Sequence, residues 1–342
     1  MRWDNLRLTD DGEADSATPL FARRAVARTF DTPEFRGVTF YEIHARSIIN
    51  RVPSASRVPF EWTINPYRGC THACVYCFAR KTHEYLDLDS GRDFDSKIVV
   101  KVNAAELARR ELAAPRWAGH HIAMGTNVDP YQRAEGRYRL MRGILQALRD
   151  AANPFSILTK GSLILRDLDL LTEAAGVTEV STAVSIGFTD EQMWRAVEPG
   201  TPSPRKRLEV VSALSAAGLR CGVLMAPILP YLTDSPQALD TTVRRIAESG
   251  AASITPIVLH LRPGAREWFL AWLAREHPRL VPRYRELYGR GAYAPAPYQR
   301  RIAAQVRDLA TRHGVGRTSP GRTRLIRPPA PTPPPAEQLT LL

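Results

Sequence analysis

Asn65-Pro-Tyr-Arg-Gly-Cys70-Thr-His-Ala-Cys74-Val-Tyr-Cys77-Phe-Ala-Arg80 is the stretch on which the reading of this chain turns. Three of the four cysteines fall within eight positions, spaced C-x3-C-x2-C. Such a cluster suits metal ligation better than a disulfide framework. Three thiolates on one loop can each bond one iron of a cubane cluster, and the fourth iron is then left without a protein ligand. An open metal position of that kind accepts a substrate. Gly69 allows a tight turn before the first thiol, and Arg68 and Arg80 offset thiolate charge. Zinc is the competing reading, with His72 or His83 as a fourth ligand, although no second cysteine pair is present. Cys221 stands alone in the apolar run Arg220-Cys-Gly-Val-Leu-Met and reads as a small buried hydrophobe.

Working outward, the 342 residues are 44% apolar, enough for a sizeable core. No apolar run approaches the roughly 18 residues that span a bilayer, and the polar N-terminus has no secretory h-region. A cytoplasmic protein with no membrane partner is expected. The net charge of +12 favours acidic partners, nucleic acid first. Residues 1–58 are polar and read as an irregular N-terminal extension. Within 59–262, β-rich runs at Glu61–Ile64, Lys97–Val102, His120–Gly125, Phe155–Thr159, Val180–Ile186, Arg220–Ile228 and Ser253–Leu261 alternate with helical patterns at Ala104–Leu112, Tyr138–Leu148, Arg166–Ala174, Arg207–Ala217 and Leu239–Ser249. That alternation predicts βαβ units and a mostly parallel sheet. About seven strands fall short of the eight of a full barrel. The expected fold is α/β, a partial (β/α)6-type barrel with an open side, and a doubly wound sheet is the second choice; either puts the ligand site at the carboxyl ends of the strands. Residues 263–327 read as a basic helical region, since Arg262–Arg327 holds 15 Arg against 4 acids. Residues 328–342 form a proline-rich tail.

The cysteine segment resembles the hallmark of the radical S-adenosylmethionine (SAM) superfamily, C-x3-C-x-aromatic-C, with Tyr76 as the aromatic. Asn65–Cys70 and Tyr76–Arg80 further resemble the spore photoproduct lyase-like branch, often labelled "DNA repair photolyase", in a subgroup apart from the lyase itself. Gly125-Thr-Asn-Val-Asp-Pro-Tyr-Gln, Ile157-Leu-Thr-Lys160 and Val184-Ser-Ile-Gly187 are similar to further elements of that branch, and the likeness runs from about Val38 to Leu273. The resemblance implies a radical SAM barrel carrying a [4Fe–4S] cluster on Cys70, Cys74 and Cys77. It also implies SAM held by Thr126, Lys160 and Ser185, with the backbone near Tyr76 at the adenine. The implied reaction takes one electron from a flavodoxin- or ferredoxin-type donor, splits SAM and generates a 5′-deoxyadenosyl radical that abstracts hydrogen from a substrate. Nucleic acid is the expected substrate. A peptide or small molecule, and a noncatalytic Fe–S or zinc module that binds nucleic acid, are the alternatives. In the lyase, a cysteine on the strand before the SAM-binding hydroxyl returns the hydrogen; Met124 takes that place here and has no S–H to give. Asp129, Glu135 and the loop from Glu198 are weaker candidates for the substrate side, and Asp234 reads as a helix cap. The ending Gln338-Leu339-Thr-Leu341-Leu342 is similar to the peptide by which bacterial replication and repair proteins dock on the DNA sliding clamp.

Overall fold

The computed structural model describes residues 6–7, 25–53, 56 and 58–316. In chain order its strands are β1 (Leu6–Arg7), β2 (Val26–Thr29), β3 (Thr39–Ala45), β4 (Ile49–Arg51), β5 (Trp62–Ile64), β6 (Tyr67–Arg68), β7 (Lys97–Lys101), β8 (Ile122–Met124), β9 (Phe155–Thr159), β10 (Val180–Ser185), β11 (Cys221–Ile228) and β12 (Ser253–Val258). Six of them, in the order β5-β8-β9-β10-β11-β12, run parallel in one sheet, and β4 closes the β5 edge antiparallel. This is the six-stranded partial barrel, open between its edges.

Alternation along the strands decides what each face does. On β9, Phe155, Ile157 and Thr159 are buried while Ser156 and Leu158 are half-buried. On β11, Cys221, Val223 and Met225 are buried between half-buried Gly222, Leu224 and Ala226. The buried set packs under the outer helices, among them Leu140–Asp150, Leu168–Ala175, Pro204–Ala216 and Pro236–Glu248. The opposite face carries Ser156, Leu158, Gly222, Leu224 and Ala226, all half-buried. Ser203 and Ser235 each accept a hydrogen bond at a helix start, from Lys206 N and Ala238 N, and proline follows each at the first helical position. Ser235 therefore caps the helix for which Asp234 was expected; Asp234 instead accepts a hydrogen bond from Tyr298 Oη.

Two expectations change. Lys97–Val102 is not a barrel strand. Residues 26–45 are not irregular but supply strands, and β7 pairs parallel with β3 in a separate sheet with β1, β2 and β6. The run Ile98-Val99-Val100 is buried on both faces: Ile98 and Val100 join the main core, and Val99 meets Ile43, Leu86 and Leu88. Local pattern reads such a strand correctly but says nothing of its neighbour. The basic C-terminal region is helical at Ala265–Glu276, Val281–Tyr288 and Ala296–Arg312, and it closes a second core around Phe269, Trp272, Tyr284 and Ile302. The proline-rich tail and the clamp-like peptide Gln338–Leu342 lie outside the described residues.

Lys101 ends β7 with its ammonium buried. Burial first, then the charge of Arg68, pulls it down to about 7 against a weaker lift from Glu111. Between that value and its ordinary range near 10.4 the unfolded chain binds more protons than the folded one, so stability rises with pH across this window. Lys101→Met is expected to raise the unfolding midpoint at pH 6, with a gain that shrinks towards pH 10. Urea titrations at the two pH values check it; a gain that does not change with pH contradicts it.

Candidate active site

The cysteine loop follows β6 and is irregular from Cys70 to Cys77. Gly69 has φ +79°, and a Cβ there would stand 2.9 Å from His83 Cε1 and 3.0 Å from the Lys97 carbonyl oxygen, so only glycine makes the turn into Cys70. The Cys70 N–H donates to Phe94 O, 2.9 Å, and the Val75 N–H to Val197 O, 3.0 Å. Gly200 N–H donates to His72 O, 3.0 Å, and a Cβ on Gly200 would lie 2.1 Å from Thr71 O. The loop at 198–201, proline-stiffened in the sequence, is therefore a wall against which the cysteine loop is pressed. Arg80, fully buried, donates to Cys74 O, to Gly91 O at 2.7 Å and to both oxygens of Asp95 at 2.9 Å. It acts chiefly as a backbone clamp.

All three thiols are free, Cys70 and Cys74 buried and Cys77 half-buried. Burial raises each of them above the ordinary thiol range; Asp129 and the other two cysteines raise Cys70 further, while Lys160 pulls Cys74 back and Arg80 and Lys160 pull Cys77 back. Among the described residues no three Cys, His, Asp or Glu side chains close on a single ion. Ligands to a cubane bond separate irons and stand farther apart than ligands to one ion. Each histidine of the zinc reading has one ring nitrogen held elsewhere, while His83 Nδ1 is buried without a partner among the described residues. His72 Nδ1 faces Asp129 Oδ2 at 3.4 Å, and His83 Nε2 lies 2.9 Å from Lys97 O beneath Gly69. Three thiols with Arg80 and Lys160 acting on them are a donor set that fits the cluster.

Across from this loop stand the ends of β9 and β10. Lys160 Nζ donates to Ser185 Oγ at 3.0 Å and lies 5.7 Å from the Tyr76 ring centroid. Ser185 Oγ donates to Ala226 O, 3.0 Å, at the end of β11. Lys160, Ser185 and Tyr76 are thus brought together beside Cys74. Thr126 is half-buried in the loop after β8 and makes no side-chain hydrogen bond among the described residues. Asn65, just past β5, holds a buried Oδ1 with no partner. A buried acceptor left unpaired by the chain is satisfied by water or by a bound group.

Two features of the site escape a sequence reading. Glu198 and Arg207 form a fully buried ion pair; Tyr76 Oη donates to Glu198, and Arg207 Nη1 donates to Ser185 O at 2.9 Å. Burial pushes the Glu198 carboxyl up, but Arg207 and Lys160 outweigh it and hold it low. Asp129 is tied into the strand end. It accepts from Thr159 Oγ1 and Lys160 N, both at 2.6 Å, and sits by His72; these overcome burial and hold it down to about 2. Glu135 is also structural, buried and bonded to Tyr67, Arg166 and the N–H groups of Leu140 and Met141. The side chain of Met124 shares the helix-facing core with Ile122 and does not reach the inner face. Cys221 starts β11 opposite Thr182, three residues short of the Ser185 level or roughly 10 Å along the strand, with its thiol in the same core and pushed up to about 11 by burial.

The model of the Radical SAM superfamily matches residues 64–242, more than half the chain and the whole of this site. The chain belongs to the radical SAM superfamily. A Mycobacterium tuberculosis protein described as uncharacterised is 49% identical over 328 residues, covering 94% of this chain and 96% of that one. A Methanocaldococcus jannaschii protein, likewise uncharacterised, is 29% identical over 199 residues, covering 58% and 70%. Among solved structures, spore photoproduct lyase complexed with dinucleoside spore photoproduct superposes with a TM-score of 0.60 at 17% identity, covering 81% of this chain and 80% of that one. That likeness is one of fold. The radical SAM protein is an enzyme, and membership implies SAM and a [4Fe–4S] cluster. Among its described residues no helix is long and apolar enough to cross a membrane.

Proposed function

We propose that Cys70, Cys74 and Cys77 hold the [4Fe–4S] cluster, that Tyr76, Thr126, Lys160 and Ser185 receive SAM, and that the substrate is nucleic acid. The observation that carries this is the meeting of Lys160 Nζ with Ser185 Oγ and the Tyr76 ring beside the thiols, at the carboxyl ends of parallel strands. A reduced cluster held by these cysteines would supply the electron for cleavage of a sulfonium C–S bond of SAM, the radical chemistry of the family. The residues of the chain do the positioning. Lys160 offers a point charge to the carboxylate of SAM, and the Ser185 hydroxyl, fixed by Ala226 O, orients it. Arg207 steadies the Ser185 backbone, and Glu198 holds the phenol of Tyr76.

Nucleic acid is favoured by the charge of +12 and by 15 Arg against 4 acids in Arg262–Arg327. The solved lyase complexes with a dinucleoside lesion point the same way. With Met124 and Cys221 both turned into the helix-side core, the proposed reaction does not return hydrogen from a strand thiol, which sets it apart from spore photoproduct reversal. A small flavodoxin- or ferredoxin-type protein is the proposed electron donor.

Anaerobic reconstitution followed by assay of 5′-deoxyadenosine tests the reading. Damaged DNA, intact DNA or RNA should raise its formation above the level without substrate; no response to any of them excludes the nucleic-acid reading. Lys160→Ala should keep iron and sulfide yet bind SAM about tenfold to a hundredfold more weakly, the scale of a lost hydrogen bond to a charged group. Unchanged affinity by equilibrium dialysis removes Lys160 from the SAM site.

A further inference from the structure

We propose that Phe78, Arg262 and Tyr293 form a stacking platform for an unpaired nucleobase at the mouth of the site; this deepens, and rests on, the nucleic-acid reading above. Few large apolar side chains among the described residues are exposed. The exposed ones are Phe78 (47%), Tyr85 (46%), Val177 (57%) and Tyr293 (48%). Two of these, from opposite ends of the sequence, are joined by one guanidinium. Arg262 Cζ lies 5.6 Å from the Phe78 ring centroid, and its Nη2 donates to Tyr293 Oη at 3.2 Å. His260 backs the tyrosine, with centroids 4.5 Å apart and planes at 65°.

The arrangement is built, not draped. His260 and Tyr293 pair as an antiparallel bridge, and Leu261 N–H donates to Ala292 O at 2.8 Å. Arg266 ties down the same loop through Gly289 O and Gly291 O. Gly264, at φ +87°, brings the turn after Arg262 onto Lys81; a Cβ there would stand 3.2 Å from Lys81 Cβ.

Its position matters as much as its composition. Phe78 follows Cys77 directly, and His260 lies two residues beyond the carboxyl end of β12, on the open edge of the barrel. That is the end of the sheet at which Lys160 and Ser185 stand. Aromatic faces and a guanidinium plane stack on any base, while Lys81, exposed beside them, suits a flanking phosphate. A base inside a duplex cannot reach such a surface. The occupant is therefore a nucleotide in a single strand or one turned out of its helix.

The test is binding of a fluorescein-labelled oligothymidylate of about a dozen nucleotides to the full-length reconstituted protein, read by anisotropy. Tyr293→Ala and Arg262→Ala should each weaken binding about tenfold, the scale of losing one base-stacking partner. Tyr293→Phe, which keeps the ring, should stay within about twofold, and an abasic oligomer of equal charge should bind the unaltered protein as weakly as the oligothymidylate binds Tyr293→Ala. If the unaltered protein binds but Tyr293→Ala and Arg262→Ala bind equally well, or if polyglutamate competes as effectively as the oligonucleotide, the platform is wrong and the nucleic-acid reading survives. If the unaltered protein binds no single strand and no nucleic acid stimulates 5′-deoxyadenosine formation, both fall together.

Discussion

Cys74→Ala should yield a folded protein that takes up no [4Fe–4S] cluster and makes no 5′-deoxyadenosine. The position separates ligation from folding unusually well. The contacts that hold this point of the loop are made by the Cys74 carbonyl, which Arg80 clamps through Nε and Nη2, and by the N–H of Val75. Alanine keeps the carbonyl and removes only the sulfur. Altering a group behind a metal ligand commonly costs about 10–100-fold in affinity, so losing one of three ligands should exceed that range. Cys221→Ala is the control: its thiol faces the helix-side core at the amino end of β11, so iron and sulfide should remain and only stability should fall. Iron and sulfide analysis, the visible absorbance of the reconstituted protein and far-ultraviolet circular dichroism give the three readouts. A Cys74→Ala protein with full iron, or unaltered protein that carries zinc without sulfide, contradicts the assignment.

What the sequence makes legible follows the range of the interaction. The cysteines, Gly69 and the run to Arg80 act within one loop, and the spacing alone suggests their chemistry. The parallel strands and the helices between them are likewise local patterns, and Ala104–Leu112 has the bounds its periodicity predicts. Partnership across the chain is another matter. β7 reads as a strand, but its pairing with β3 is set by an N-terminal segment whose short apolar pieces carry little signal. Asp129, in the loop after β8, and Glu135, in the helix Arg133–Tyr138 that follows, belong to a segment similar to a functional one and look like substrate contacts. Their roles depend on Arg166, Tyr67, His72 and Thr159, none adjacent to them in sequence. Arg207 is the clearest case. It lies in the first turn of Pro204–Ala216, where an exposed arginine is the ordinary expectation, and only the fold shows that this turn points inward at Glu198.

Arg207→Ala is accordingly expected to be the most destabilising single change at the site. Both charges are essentially out of contact with solvent, Arg207 at 1% and Glu198 at 0% side-chain exposure. Removing one member of a buried pair leaves the other charge uncompensated, a loss of about 3–5 kcal/mol. The consequence reaches SAM by two routes. Ser185 loses the donor to its carbonyl oxygen, and among the described residues Lys160 is then the cation that acts on Glu198. An ammonium drawn to that carboxylate is withdrawn from the carboxylate of SAM, so the variant should bind SAM more weakly even where it remains folded. Glu198→Gln combined with Arg207→Met removes both charges and keeps an acceptor for the Tyr76 phenol. It should recover much of the stability, since replacing a buried pair by neutral groups of similar volume is often close to neutral, and should release Lys160. Urea unfolding and equilibrium dialysis of SAM on the two variants distinguish these effects. A single variant within about 1 kcal/mol of the unaltered protein means that the pair is not isolated from water, and a double variant that regains stability without regaining SAM affinity means that Lys160 is not the link between them.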